Sequence, residues 1–193
     1  MYQITEWCHH FIKQHVQSGD FCIDATMGNG HDTKLLCQLV GTSGKVLAFD
    51  IQKLAYENTL QRLQDAGVPQ NYQLILDSHS HMNQYADADS VNCIIFNFGY
   101  LPGGDHNLST KASSSIAAIE QGLNLLKKGG LMSLCIYSGG DSGFEERDAL
   151  LSYLKELDSK KYLVILSSYY NRPKNPPIPV LVWKLFEKTP LSV

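Results

Sequence analysis

The sequence predicts an α/β fold in which helices cover both faces of a doubly wound, mostly parallel sheet. Short apolar runs alternate with helical patterns along the 193 residues, and this alternation implies right-handed crossover connections. A proline-rich segment at 171–177 breaks the alternation, because prolines remove backbone donors and disfavour the α conformation of the preceding residues. The strands on either side of this segment are therefore expected to pair antiparallel.

The individual elements follow from periodicity and turn signals. Apolar residues near a 3.6-residue period predict helices at 2–17, 32–40, 54–66, 113–128 and 144–157. A short polar helix is expected around residues 79–86. Gly41 is expected to end the second of these helices, whereas Gly67 and Pro69 stop the third. Short apolar runs predict strands at 21–23, 45–50, 72–76, 91–96, 131–137, 162–169 and 180–186. A seven-stranded, mostly parallel sheet with an antiparallel last strand is the arrangement of Rossmann-like class I methyltransferases, whereas a nicotinamide-binding domain would end in a parallel strand.

Composition and charge restrict the class of protein. The 44% hydrophobic fraction suffices for a continuous core, and the length suggests a single domain over 1–193. No apolar stretch approaches the roughly 20 residues of a membrane span, and no signal-peptide core is apparent, so a cytoplasmic protein without membrane contact is expected. The net charge of −3 is not that of a protein that holds nucleic acid by bulk charge, so RNA binding would need a local basic patch.

The cysteines indicate neither a disulfide scaffold nor a metal site. Three of the five lie in apolar runs and are predicted to be buried, reduced thiols: Cys22, Cys93 and Cys135. Cys8, His9 and His10 are adjacent, but contiguous residues on a helix point in different directions. No C-x-x-C or H-x-x-x-H partner accompanies them, so no metal is predicted.

A glycine-rich segment follows the first strand and opens a helix, where doubly wound sheets bind ligands. Gly28 and Gly30 permit a tight turn and a close approach of the backbone to a ligand. Thr33 replaces the third glycine of a dinucleotide motif, and Asp24 lies just upstream. Because a carboxylate suits the ammonium group of a methionine moiety and repels a diphosphate, the segment favours S-adenosylmethionine over NAD. A purely structural tight turn is the alternative.

Acidic residues also end the next two predicted strands. Asp50 can accept two hydrogen bonds from ribose hydroxyls, and Asp77 is placed to meet the adenine amino group. Helix capping is the alternative role of both. The predicted cofactor-binding residues are Asp24, Thr26, Gly28, Asn29, Gly30, Asp32, Thr33, Asp50, Gln52, Asp77, Ser78, His79 and Asn97.

The fourth strand leads into a segment suited to a nitrogen acceptor. Asn97 and Tyr100 have the spacing of the (Asn/Asp/Ser)-Pro-Pro-(Tyr/Phe) motif of N-methyltransferases, although the two prolines are missing. The asparagine would hold the target nitrogen, and the aromatic ring would stack on a base. Asp105 is the candidate that handles the ammonium proton and His106 a second one, with a turn as the alternative role of Asp105. The predicted catalytic residues are thus Asn97, Tyr100 and Asp105.

These motifs resemble a family of small bacterial methyltransferases long described as rRNA methylases. The resemblance runs from about residue 3 to residue 187 and rests on the segments 24–33, 49–52 and 97–105, with Thr110. Some members are tRNA 5-aminomethyl-2-thiouridine methyltransferases, so the resemblance implies methyl transfer from S-adenosylmethionine to the 5-aminomethyl group of (2-thio)uridine at the tRNA wobble position. Many members carry a histidine after the fifth strand, where this chain has Gly140.

The expected partner is therefore the anticodon loop of a tRNA. Its contacts are predicted at Tyr100, His106, Lys111, Arg172 and Lys174, with Tyr169 and Tyr170 as additional stacking surface. The first helix and the final hairpin could supply the surface of a homodimer. Three alternatives stay open: an rRNA or small-molecule methyltransferase, a non-catalytic nucleotide-binding module, and an NAD oxidoreductase.

Overall fold

The computed structural model describes residues 4–99, 112–138, 143–173 and 175–186. The helices are α1 (Ile4–His15), α2 (His31–Val40), α3 (Lys53–Asp65), α4 (Ala112–Leu125) and α5 (Gly143–Lys155), with a 3₁₀ helix at His79–Gln84. The strands are β1 (Phe21–Asp24), β2 (Lys45–Asp50), β3 (Tyr72–Leu76), β4 (Val91–Phe98), β5 (Leu126–Ile136), β6 (Tyr162–Leu166) and β7 (Ile178–Lys184).

All seven strands belong to one sheet with the order β3-β2-β1-β4-β5-β7-β6. The first five strands pair in parallel, whereas β7 runs antiparallel to both β5 and β6. The predicted seven-stranded, mostly parallel sheet with an antiparallel last strand is thereby confirmed. Because β1 to β5 point in one direction, the residues that follow them meet at a single edge of the sheet, where the sequence places its candidate site.

Side chains of successive strand residues enter two separate cores, one on each face of the sheet. Ile23 and Phe96 pack in the core that α4 and α5 cover, whereas Cys22, Cys93 and Ile95 pack in the core under α1, α2 and α3. This separation follows from the two-residue period of a strand and makes the fold doubly wound. All five cysteines are buried, and none forms a disulfide.

The predicted boundary between the helix at 113–128 and the strand at 131–137 was wrong. The helix was expected to continue to residue 128, but α4 ends at Leu125, and Leu126 already pairs with Val91 of β4. Gly129 has a φ of +79°, which lies outside the right-handed helical region. Pairing with β4 therefore overrides the helical preference of Lys127 and Lys128.

Two further elements differ in detail from the expectation. The segment after β3 forms a 3₁₀ helix, which the side chain of Ser78 caps by accepting a hydrogen bond from the backbone of Ser80 at 3.2 Å. In the final hairpin, β6 ends at Leu166 and β7 begins at Ile178, so the connecting loop is longer than predicted. None of the helices in the described ranges is long and apolar enough to span a membrane.

Candidate functional site

The glycine-rich loop between β1 and α2 has a conformation that requires its glycines. Gly28 and Gly30 have φ values of +50° and +76°, a region that residues with a Cβ rarely adopt. A Cβ on Gly30 would also lie 2.8 Å from Oγ1 of Thr59, which donates a 3.0 Å hydrogen bond to the carbonyl of Gly28. The loop is therefore held against α3 at a separation that only glycine permits.

Asp24, the last residue of β1, is completely buried beneath this loop. Its Oδ2 accepts a 2.6 Å hydrogen bond from Oγ1 of Thr33, and its Oδ1 accepts one of 3.2 Å from the backbone of Thr26. Burial raises the pKa of Asp24 to about 7, and the nearby charge of Asp32 contributes to the increase. Asp24 thus ties the loop to β1 and α2, and its binding of a cofactor stays a prediction.

Asp50, the last residue of β2, contacts the same loop from the neighbouring strand. Its two carboxylate oxygens accept hydrogen bonds from the backbones of Gly28 at 3.1 Å and Gln52 at 2.9 Å. Burial raises the pKa of Asp50. Each carboxylate oxygen can accept more than one hydrogen bond, so these contacts leave acceptor positions for the hydroxyls of a ribose.

Asp77 follows β3 and belongs to a more exposed hydrogen-bonded group. It accepts from Nδ1 of His81 at 2.8 Å, from the backbone of Ser78 at 2.7 Å and from the hydroxyl of Tyr85 at 3.0 Å. The hydrogen bond from His81, followed by that from Ser78, lowers the pKa of Asp77. Asp77 therefore carries a negative charge at neutral pH at the edge next to Asp50.

His79 points inward from the 3₁₀ helix. Its ring lies edge-on to Phe96 and Phe98, with both centroid distances at 6.3 Å. Burial lowers the pKa of His79 to about 4, although a hydrogen bond to the Ala25 backbone opposes this shift. Its Nε2 is buried and has no partner among the described residues. The ring of His79 is therefore neutral at pH 7, and its contact with a cofactor stays a prediction.

Asn97 lies at the end of β4, and hydrogen bonds fix both its backbone and its side chain. Its backbone N–H donates to Oγ1 of Thr26 at 2.7 Å, and its Nδ2 donates to Oδ2 of Asp32 at 2.6 Å. The other oxygen of Asp32 contacts Nε2 of His9, which reaches it from α1. Sequence reasoning considered His9 only as a metal ligand, because nothing near it in the sequence indicates its contact with Asp32.

The hydrogen bonds described above join most predicted cofactor residues in three groups, which contain Asp24, Asp50 and Asp77, whereas Asn29 contacts α3. The backbone carbonyl of Asn29 accepts from Arg62 at 2.6 Å, and its side chain accepts from Asn58 at 2.9 Å, so both groups of Asn29 contact α3.

Among the predicted substrate-binding residues, Arg172 is exposed in the loop between β6 and β7. Five predicted catalytic or substrate-binding residues lie outside the described residues: Tyr100, Asp105, His106, Lys111 and Lys174.

A cavity of about 160 Å³ lies beside the loop between β6 and β7, next to the end of β5. Its lining combines aromatic, apolar, cationic and polar groups: Ser138, Arg147, Ser168, Tyr169, Asn175, Pro176, Pro177 and Ile178. The Oγ of Ser138 is buried there and has no partner in the described segments. No group of three metal-ligating side chains occurs within the ranges that the structure describes.

The strand order, the glycine loop and the asparagine at the end of β4 together define an α/β protein of the methyltransferase class. Residues 46–183 match the family model described as "Putative rRNA methylase". Because this match spans well over half of the chain, the protein belongs to the rRNA methylase family. The resemblance seen in the sequence is confirmed.

Individual relatives agree with this family. A tRNA (mnm⁵s²U34)-methyltransferase of Arabidopsis thaliana chloroplasts is 34% identical over 181 residues, which cover 89% of this chain. This chain spans 66% of the length of the Arabidopsis protein.

Solved structures extend the comparison to the whole fold. A putative rRNA methylase of Clostridium thermocellum has a TM-score of 0.92 and 41% identity, covering 96% of this chain and 99% of its own. A putative methyltransferase of Streptococcus mutans in complex with S-adenosylhomocysteine has a TM-score of 0.86 and 35% identity, with the same coverage.

Proposed function

We propose that the protein is an S-adenosylmethionine-dependent methyltransferase that N-methylates the 5-aminomethyl group of (2-thio)uridine at the tRNA wobble position. The observation that carries the proposal is the orientation of Asn97, whose amide nitrogen is bound by Asp32 so that its carbonyl oxygen remains for an amine. The Arabidopsis relative supports the choice of substrate, because its name describes this modification.

The site residues fit S-adenosylmethionine as the cofactor. The glycine loop admits a close ligand, Asp50 retains acceptor positions for a ribose, and the buried Nε2 of His79 lacks a partner among the described residues. The S-adenosylhomocysteine bound to the 35% identical S. mutans protein supports the same assignment. When bound, S-adenosylmethionine supplies an electrophilic methyl group and keeps the electrons of the broken C–S bond as a neutral thioether.

The residues of the chain must present a neutral amine to this methyl group. An alkylamine is protonated at neutral pH, so it must lose a proton before its lone pair can form the C–N bond. We propose that Oδ1 of Asn97 accepts an N–H of the amine, which would direct the lone pair away from Asn97. Asp105 is proposed to accept the ammonium proton and Tyr100 to stack on the base. The methylated amine leaves as the protonated secondary amine, and Asp105 releases the proton that it accepted to solvent.

The cavity beside the β6–β7 loop supports an RNA substrate. Single-stranded RNA is held by aromatic rings that stack on bases and by cations that contact phosphates. Tyr169 and Arg147 line this cavity, and Arg172 is exposed on the same loop. Because this loop offers few cations and the chain has a net charge of −3, the affinity for RNA should be low and sensitive to salt.

Nucleoside mass spectrometry tests the proposal directly. Bulk tRNA from a strain that accumulates 5-aminomethyl-2-thiouridine would be incubated with the protein and S-adenosylmethionine. A mass gain of one methylene on that nucleoside is expected, and omission of the cofactor should abolish it. Parallel reactions with rRNA address the function that the family description names. Methylation of rRNA alone, or calorimetric binding of NAD without binding of S-adenosylhomocysteine, would overturn the proposal.

A further inference from the structure

We propose that His9 and Asp32 are positioning residues that fix the amide of Asn97 for methyl transfer. Neither residue needs to touch the substrate, since both act through the orientation of Asn97. This inference rests on the proposed function, because it concerns the group that would hold the acceptor nitrogen.

The geometry forms a chain of contacts across three elements. Asp32 lies in the first turn of α2 with only 9% of its surface exposed. One carboxylate oxygen accepts from Nδ2 of Asn97 at 2.6 Å, and the other contacts Nε2 of His9 on α1. Both oxygens of Asp32 are thus engaged, and the backbone of Asn97 is held separately by Thr26. The side-chain torsions of Asn97 therefore have one favoured setting.

The contacts that link His9, Asp32 and Asn97 decide which end of the Asn97 amide faces the nitrogen that accepts the methyl group. An amide has nearly the same shape in its two flipped forms, but one form presents an acceptor and the other a donor. A carboxylate only accepts hydrogen bonds, so Asp32 selects the form in which Nδ2 points toward it and Oδ1 points away. In the flipped form an N–H₂ group would face the amine and could only donate to its lone pair, which would make that lone pair unavailable for attack on the methyl group.

The charge of Asp32 adds an electronic effect to this geometric one. A hydrogen bond to a carboxylate is stronger than one between neutral groups, and it polarises the donating amide. Oδ1 of Asn97 then becomes a better acceptor for an amine whose nitrogen gains positive charge as the C–N bond forms. The acceptor nitrogen is thereby stabilised in the transition state more than in the bound substrate.

His9 keeps Asp32 in place from the opposite side. Without its contact, the carboxylate could rotate toward solvent and release Asn97. The adjacent His10 offers a natural comparison, because it is exposed and its ring contacts Gln14, at 3.3 Å, and Phe11, both on its own helix. The two histidines share a helix and a residue type but differ in their access to the site.

Three variants of this helix separate positioning from general support of the fold. His9→Ala should lower kcat about ten- to hundredfold, as is typical when a group that orients a reacting residue is removed, with little change in the Kd of S-adenosylmethionine. His9→Gln keeps an N–H near the position of Nε2 and should restore most of the lost kcat. His10→Ala should behave like the wild type.

A measurement without cofactor or substrate gives an independent readout. The side-chain amide signals of Asn97 in an NMR spectrum, assigned by their loss in Asn97→Ala, should shift in His9→Ala and Asp32→Asn. They should return toward their original positions in His9→Gln and stay unchanged in His10→Ala. Unmoved signals in His9→Ala, or a failure of His9→Gln to restore kcat in a folded protein, would overturn the inference.

The test of the positioning role does not depend on which RNA is the substrate. If the wild type methylates rRNA and not tRNA, the proposed function fails, but the same variants can be assayed on rRNA and the NMR result still applies. If the wild type methylates tRNA and His9→Ala matches His10→Ala in kcat, the proposed function holds and the positioning role is wrong.

Discussion

Thr33 donates a 2.6 Å hydrogen bond from Oγ1 to Oδ2 of Asp24, which joins the first turn of α2 to the last residue of β1. Asp24 is wholly buried, so the glycine loop above it depends on a carboxyl group that water cannot reach. Burial of a carboxylate is costly unless hydrogen bonds compensate it. The loop that faces the proposed cofactor is therefore built on a group whose charge opposes folding.

The raised pKa of Asp24 predicts a loss of stability as the pH increases. Its pKa is about 7 in the folded protein against 3.8 for the unperturbed group, so between these values the folded state binds more protons. The contribution to the free energy of unfolding is fully present below pH 3.8 and is lost as the pH rises through 7. Urea unfolding at several pH values should show that Asp24→Asn removes this loss, which amounts to a few kcal/mol.

The asparagine variant retains the local hydrogen bonds, because its Oδ1 can accept from Thr26 and its Nδ2 can donate to Thr33. Asp87→Asn, at an exposed position, serves as the control and should keep the pH dependence of the wild type. Parallel curves for Asp24→Asn and Asp87→Asn would show that Asp24 is not the source of the effect.

His79 predicts the opposite dependence over a similar range of pH. Its pKa is about 4 in the folded protein against 6.5 for the unperturbed group, so the unfolded state binds more protons in between. Its contribution is present above pH 6.5 and is lost as the pH falls through 4. Since Asp24 and His79 partly cancel in the wild type, His79→Phe should be less sensitive to acid, and the exposed His10→Gln should not differ. Equal acid sensitivity of His79→Phe and the wild type would contradict this assignment.

Gly30 should be irreplaceable for both stability and cofactor binding. In Gly30→Ala, a left-handed backbone costs about 1–2 kcal/mol, and the new Cβ would lie 2.8–2.9 Å from atoms of Thr59. Gly67→Ala is the matched control, because its φ is +57° but nothing lies within 4 Å of the new Cβ. Urea unfolding should show a larger loss for Gly30→Ala, and calorimetry should show weaker binding of S-adenosylmethionine in that variant alone. Similar losses in both would mean that the close approach to α3 is unimportant.

The fold could be predicted from local patterns, whereas the ends of its elements could not. The proline-rich segment and the flanking apolar runs sufficed to predict the antiparallel β7. The boundary between α4 and β5 failed because Lys127 and Lys128 are good helix formers, and only pairing of Leu126 with Val91 reveals the strand. Pairing between residues 35 positions apart leaves no local signal.

The residues of the candidate site likewise divide into those with a local signal in the sequence and those without one. The positions of the glycine loop, of the acids that end β1 and β2 and of the acid that follows β3 were predictable, because they follow from neighbours in the sequence. His9 was not, since it reaches Asp32 across 23 positions only because α1 packs against the sheet. The sequence does not show which of the adjacent His9 and His10 reaches the site, and tertiary packing alone distinguishes them.

Two adjacent tyrosines test the contribution of the β6–β7 loop to RNA binding. Tyr169 lines the cavity beside Arg147, whereas Tyr170 is fully exposed. If a base stacks in this cavity, Tyr169→Ala should lose about 1–3 kcal/mol of binding free energy, which raises the Kd for an anticodon stem-loop about 5- to 150-fold. Fluorescence anisotropy at fixed salt measures this Kd, and calorimetry should show unchanged binding of S-adenosylmethionine. Tyr170→Ala is the control for the removal of an aromatic ring as such. A loss confined to Tyr170→Ala would move the stacking surface to the outside of the loop, and the absence of any loss in either variant would remove this loop from the RNA-binding surface.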